Sequence, residues 1–183
     1  LLTQNYLNNS RDVKSMPIDK LINNLGLCGI AYNLTGKPKY LNCLIENKLD
    51  NGKIDEARSL FDDEFMPKTL DRTVNQHDFA YTYFLYGEYL LRKGQITNAK
   101  REIKKGFDLA ISSKKPETPK MLRRIIEQGV YKQFKDDLDF QKLEEQIAIK
   151  SMENFNTKNS MINYLSRGNK ERYELVKAEI GLQ

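Results

Sequence analysis

The sequence predicts an all-α protein built from stacked helical hairpins, and three observations carry that prediction. The stretch Gly52-Lys53-Ile54-Asp55-Glu56-Ala57-Arg58-Ser59-Leu60-Phe61 returns 42 residues later as Gly94-Gln95-Ile96-Thr97-Asn98-Ala99-Lys100-Arg101-Glu102-Ile103. Each copy follows an apolar run of helical period, Tyr40 to Leu49 and Phe79 to Leu91. No segment alternates convincingly with period two, so essentially no sheet is expected. In the echo Ile54 pairs with Ile96, Ala57 with Ala99 and Phe61 with Ile103. Self-similarity of this kind signals repeated hairpins, because one hairpin cannot bury its apolar face alone.

Taken in order, the first dozen residues, with Asn5, Asn8, Asn9 and Ser10, read as the tail of a helix that begins before this chain. Ser15-Met16-Pro17 supplies a cap and a first-turn proline for a helix over 16–36, whose stripe includes Ile18, Leu21, Ile22, Leu25, Ile30 and Leu34. Gly26 and Gly29 lie within it and allow close approach of a neighbour; Gly36-Lys37-Pro38 stops it. The first hairpin covers 38–65, with Tyr40, Leu41, Leu44, Ile45 and Leu49 on its first helix and Ile54 to Phe65 as its second. Met66 to His77, with Pro67 and the single histidine, reads as a long irregular connector.

The second hairpin covers 78–113, with Asp78 as cap, an aromatic helix from Phe79 to Lys93, a turn at Gly94 and a helix from Ile96 to Ser112. Thr118-Pro119 opens the third, over 118–155. Its first helix carries Met121, Leu122, Ile125, Ile126, Val130, Tyr131 and Phe134; Asp136 to Asp139 turns the chain, and Phe140 to Phe155 returns it. A short pair over 157–181, broken at Gly168-Asn169, caps the array. The whole is expected to be one helical-repeat domain, 1–183, cut from a longer chain.

Composition agrees with this class. The 183 residues are 39% hydrophobic with a mean hydropathy of −0.66, suited to long helices with much wet surface. No run approaches the roughly 20 apolar residues of a membrane span, and Leu1-Leu2-Thr3-Gln4 carries no basic leader. A cytoplasmic location without membrane contact is therefore expected. Cys28 and Cys43, 15 residues apart, read as buried reduced thiols, with a disulfide between adjacent helices as the alternative.

The net charge of +5 is unevenly spread. Between Arg92 and Arg124 stand eleven basic residues against three acidic ones, a local +8, which leaves −3 for the remainder. Lys100, Arg101, Lys104 and Lys105 concentrate this charge on one helix. Such a surface attracts an acidic partner or nucleic acid, or is simply the solvated face of a helix.

The turn glycine followed by small, bulky and small residues resembles the tetratricopeptide repeat. In the second copy the resemblance covers Ala80 to Ala110, through Tyr83, Gly87, Gly94, Ala99, Ile103 and Gly106. In the first, Gly52, Ala57 and Phe61 match, while Ile45 and Glu64 stand where small residues belong. The spacing of 42 residues exceeds the family's period of about 34, the excess falling in Met66 to His77. Longer, irregular repeats of this kind are similar to those of the peptide-pheromone receptors of Gram-positive bacteria and their phages, the arbitrium receptors and Rap-type proteins. The resemblance implies a right-handed superhelix of hairpins, quorum-sensing peptide recognition and a role in transcription regulation, with no helix-turn-helix recognisable in this chain. A short peptide or protein segment is the implied ligand, and a homodimer the implied assembly.

In tetratricopeptide hairpins the first helix lines a concave groove. The matching positions are Lys39, Asn42, Glu46 and Leu49 in the first copy, and Tyr81, Phe84, Glu88 and Leu91 in the second. Asparagine can grip a peptide backbone, glutamates a basic side chain and aromatics an apolar one. The competing reading is that the aromatics pack against the next hairpin. A structural adaptor for a larger protein, and nucleic-acid contact through the basic 92–124 surface, are the alternative functions.

For catalysis the sequence offers little. His77 has no nucleophile motif beside it, Asp62-Asp63-Glu64 and Asp136-Asp137 lack the calcium-loop pattern, and neither a Walker loop nor zinc-ligand spacing occurs. No catalytic residue, metal or cofactor is assigned, and a non-enzymatic binding domain is expected.

Overall fold

The structure, a computed structural model, describes residues 26–113 and 117–154. The helix start at Ser15 to Pro17, the capping pair over 157–181 and the Lys114-Lys115-Pro116 break lie outside them. Every regular element among the described residues is helical, and none is a strand. The chain divides into two compact units between Leu60 and Phe61, inside the helix expected over 54–65.

In the first unit the helix expected to run through Gly26 does not do so, because that glycine turns with φ +68°. Helix α1 (Cys28–Thr35) begins only afterwards and ends at Gly36, whose left-handed backbone lets its N–H donate to the Tyr32 carbonyl at 2.7 Å. Helix α2 (Pro38–Asp50) starts on its proline and buries Tyr40, Leu41, Ile45 and Leu49. Helix α3 (Ile54–Leu60) completes the hairpin, joined to α2 by the Lys48–Glu56 ion pair at 2.5 Å.

The cysteines depart from the reduced-thiol expectation. Packing of α1 on α2 brings the two Cα atoms to 6.0 Å, within disulfide range, and Cys28 is bonded to Cys43. On location the structure establishes only that no helix among the described residues is long and apolar enough to cross a membrane.

The second unit opens with a π-helical turn, Phe61–Phe65, followed by α4 (Met66–Leu70). The connector expected over Met66 to His77 is thus largely helical, and only 71–75 lies outside regular structure. The looser i→i+5 turn places both rings inward. Phe61 meets Tyr86 at 5.0 Å and Phe65 meets Tyr83 at 4.8 Å, edge to face. A 3₁₀ turn, Gln76–Phe79, leads into α5 (Ala80–Arg92); its cap is Asn75, which accepts the His77 N–H at 3.2 Å, and not Asp78.

Helices α5 and α6 (Ile96–Ile111) cross closely through two glycines. A Cβ on Gly87 would lie 2.9 Å from the Ala99 carbonyl oxygen, and one on Gly106 would lie 2.6 Å from that of Ala80. Backbone therefore meets backbone at both ends of the crossing, which explains why both positions need glycine. The turn between them repeats the first one bond for bond. Lys53 donates to Lys48 O at 2.8 Å and Gly52 to Leu49 O at 3.1 Å; Gln95 donates to Leu90 O at 2.9 Å and Gly94 to Leu91 O at 3.0 Å. Both turn glycines are left-handed, with φ +69° and +75°.

Helix α7 (Thr118–Glu127) ends earlier than its apolar stripe suggests, because the chain extends at Gln128 and continues as a 3₁₀ turn, Gly129–Phe134. Thr118-Pro119 opens α7 as expected, but the buried Thr118 hydroxyl has no hydrogen-bond partner and does not cap the helix, whose N-cap position is Glu117. Asp137 accepts the Phe140 N–H at 3.0 Å at the start of α8 (Leu138–Asn154), and Phe140 stacks on Phe134 at 4.0 Å.

Candidate functional site

The eight residues expected to line a groove divide between the units, four to each. In the first, Lys39 is exposed, with its ammonium 4.9 Å from the Tyr40 ring; Asn42 is buried and Glu46 half-buried. In the second, Tyr81, Phe84 and Glu88 are all buried, together with Leu91. Phe84 is sandwiched between Tyr81 at 5.7 Å and Tyr131 at 5.9 Å, and Lys120 stands 5.6 Å from the Tyr81 ring. The α5 face expected to border an open groove is therefore the junction between the second and third hairpins. An aromatic stripe is worth more buried than wet, and α7 with its 3₁₀ extension supplies the cover.

Glu88 is the charged centre of this junction, with no exposed surface. Its Oε1 accepts from Arg92 Nε at 3.0 Å, Arg92 Nη2 at 2.8 Å and Arg124 Nη2 at 2.9 Å. Its Oε2 accepts from Arg124 Nε at 2.5 Å and the Tyr131 hydroxyl at 3.2 Å. Arg92 also donates to Gln128 Oε1 at 3.1 Å, at the point where α7 stops. Burial, and next the Glu88 charge, push the Tyr131 hydroxyl well above its usual range. The carboxylate is thus saturated by α5, α7 and the 3₁₀ turn together.

Arg92, Arg124, Gln128 and Tyr131 were not singled out for this role by the sequence reading, yet a signal exists. Glu88 interrupts an otherwise apolar and aromatic helix, so burial requires a cation. Arg124 lies three residues after Met121 and beside Ile125, on the apolar stripe of its own helix.

The basic residues of α6 point elsewhere. Lys100 pairs with Asp137 at 2.6 Å, Arg101 with Glu102 at 3.1 Å and Lys104 with Asp108 at 2.7 Å. The Lys100 hydrogen bond, followed by that of Phe140 N–H, holds the Asp137 carboxyl below its usual value. Lys105 lies over the Tyr83 ring at 4.1 Å, and that ring is fixed by its hydroxyl donating to Gln76 at 2.9 Å. Arg101, Lys104, Lys105, Asp108, Leu109 and Ser112 line a surface depression of about 500 Å³. Beside it, His77 Nδ1 stands 3.2 Å from the Leu109 carbonyl oxygen. Chemically this face presents three cations and one carboxylate around a largely apolar wall.

Among the described residues, no three His, Cys, Asp or Glu side chains converge as metal ligands would. Asp62, Asp63 and Glu64 fall on the π-helical turn, at the surface of the second unit. No protein-family model, curated protein or solved structure matches this chain.

Proposed function

We propose that this chain is a peptide- or protein-binding helical-repeat domain, the effector-sensing part of a bacterial or phage regulator, with its hairpins stacked in the right-handed tetratricopeptide manner. The observation that carries the reading is the junction at Glu88. A buried ion pair adds little net stability for its desolvation cost, but it favours one register between two packed elements and is lost when either partner moves away. That behaviour suits a domain whose hairpin packing answers to a bound ligand, since a ligand can shift only an equilibrium between distinct states. The glycine-mediated crossing of α5 and α6 supports the tetratricopeptide comparison at the positions where that family places small residues.

Calorimetry against a library of peptides of about five to ten residues, spanning acidic, basic and apolar compositions, tests the proposal. Binding accompanied by altered amide-exchange protection in α7 is expected. Absence of any binder across the library would defeat it. Direct nucleic-acid contact through α6 is less well supported, because Lys100 is turned to Asp137 of the third hairpin and the remaining cations border a largely apolar wall.

A further inference from the structure

The outer face of α6 does not take part in the Glu88 junction, yet it is more than a solvated row of lysines. We propose that it docks an acidic, amphipathic segment of a partner protein in the depression lined by Arg101, Lys104, Lys105, Asp108, Leu109 and Ser112. The proposal rests on the protein-binding reading and names both its surface and the chemistry of its ligand.

Three observations carry it. First, the lining residues follow helical spacing along one side of α6, and the run from Arg101 to Ser112 covers about 17 Å at 1.5 Å per residue. This length matches about five residues of extended peptide. Second, the wall combines half-buried Leu109 with the aliphatic stems of three long cationic side chains, so apolar surface lies between charged heads. A ligand with alternating apolar and acidic side chains satisfies both.

Third, the cations are arranged to receive carboxylates. Lys105 is placed over Tyr83, which is itself tied to Gln76, so its position is set before any ligand arrives. Lys104 is engaged by Asp108 from one turn further on, at 2.7 Å across the exposed helix surface. Asp108 thus acts as a resident carboxylate that an incoming one displaces. The apolar part of the wall separates the two anionic ligands: a row of phosphates has nothing to set against Leu109 and the lysine stems, whereas an amphipathic peptide does.

The test uses the full 183-residue chain and fluorescence anisotropy with three probes: a labelled peptide alternating Asp or Glu with Leu and Phe, its counterpart carrying Asn and Gln in place of the acids, and a random-sequence DNA duplex. The acidic peptide should bind more tightly than the other two, and added salt should weaken it. Asp108→Asn removes the competitor and should tighten binding about three- to fivefold, a gain that misfolding cannot imitate. Lys104→Glu should weaken binding by at least as much, whereas Lys132→Glu, on the 3₁₀ turn, should leave it unchanged.

Unchanged or weaker binding by Asp108→Asn overturns the proposal, as does equal damage from Lys132→Glu. Tighter binding of the duplex, with the same dependence on Lys104, assigns the face to nucleic acid instead. If the neutral peptide binds and Lys104→Glu has no effect, the docking surface fails while the broader protein-binding reading stands. Failure of every peptide, neutral or acidic, counts against both.

Discussion

Arg124 and Glu88, 36 residues apart in sequence, meet through two hydrogen bonds of 2.5 and 2.9 Å in a junction where both are buried. The pair ties α7 to α5. Removing one partner leaves the other charge dry and unmatched, which is far more costly than the net worth of the pair. Glu88→Ala should therefore lower unfolding free energy by about 3–5 kcal/mol in urea titration. Glu88→Leu combined with Arg124→Leu should recover part of that loss, since the pair is replaced by apolar groups, while Arg92 and the buried Tyr131 hydroxyl still lose their acceptor. A loss under about 1 kcal/mol for Glu88→Ala would show that water reaches the carboxylate.

The glycine crossing offers a steric prediction. Gly87→Ala or Gly106→Ala forces a methyl group against backbone oxygen at 2.9 or 2.6 Å, which side-chain rotation cannot relieve. Each should cost about 1–3 kcal/mol by separating α5 from α6. Gly129→Ala is the control: its Cβ meets nothing within 4 Å and its φ is not positive. That substitution should be neutral or stabilise by about 0.4–1 kcal/mol. Thermal melts of the three variants decide the matter, and equal destabilisation by all three would contradict the close crossing.

Tyr131 predicts the alkaline behaviour of the fold. Burial and the Glu88 charge raise its pKa in the folded protein above the ordinary 10.0. Below 10.0 the hydroxyl is neutral in both states, and its contribution is fully present. As pH rises from there through the folded pKa, the unfolded chain loses its proton first, so stability falls. Ultraviolet titration should show one tyrosine ionising only on unfolding, and Tyr131→Phe should flatten the alkaline decline. An unchanged pH profile in Tyr131→Phe would assign the decline to other groups.

The Cys28–Cys43 bond closes a short loop between α1 and α2, and a loop of 15 residues corresponds to about 3 kcal/mol of chain-entropy stabilisation. Reduction should therefore loosen the first unit, with earlier proteolysis near α1 and two titratable thiols appearing. The Cys28→Ser and Cys43→Ser double variant should reproduce the effect without reductant. Identical proteolysis of oxidised and reduced protein would show that helix packing alone holds α1.

The parts legible in the sequence are those set by neighbours along the chain. Gly52 and Gly94 announce their turns because the left-handed backbone there is open to glycine at little cost, and the structure repeats the same hydrogen bonds at both. Helical periodicity likewise located α2, α5, α6 and the returning α8, although it ran α7 past its true end at Glu127. Asn75 capping in place of Asp78, the π-helical form of the turn at 61–65 and the helix over 66–70 were not legible, because several local solutions were open and aromatic packing chose between them.

Tertiary structure alone decided what each helix face does. Periodicity marks a face as apolar or aromatic, but whether it borders a groove or a neighbour depends on what arrives from elsewhere. Tyr131 reaches Phe84, and Arg124 reaches Glu88, from the third hairpin. The cysteine pairing was set in the same way, by the approach of α1 to α2. The sequence by itself determined an all-helical chain with two glycine-turned hairpins, because those features depend on backbone conformation within a few residues. Burial of Glu88 and exposure of the α6 cations were decided only in three dimensions, because desolvation is a property of surroundings and not of any residue's place in the chain.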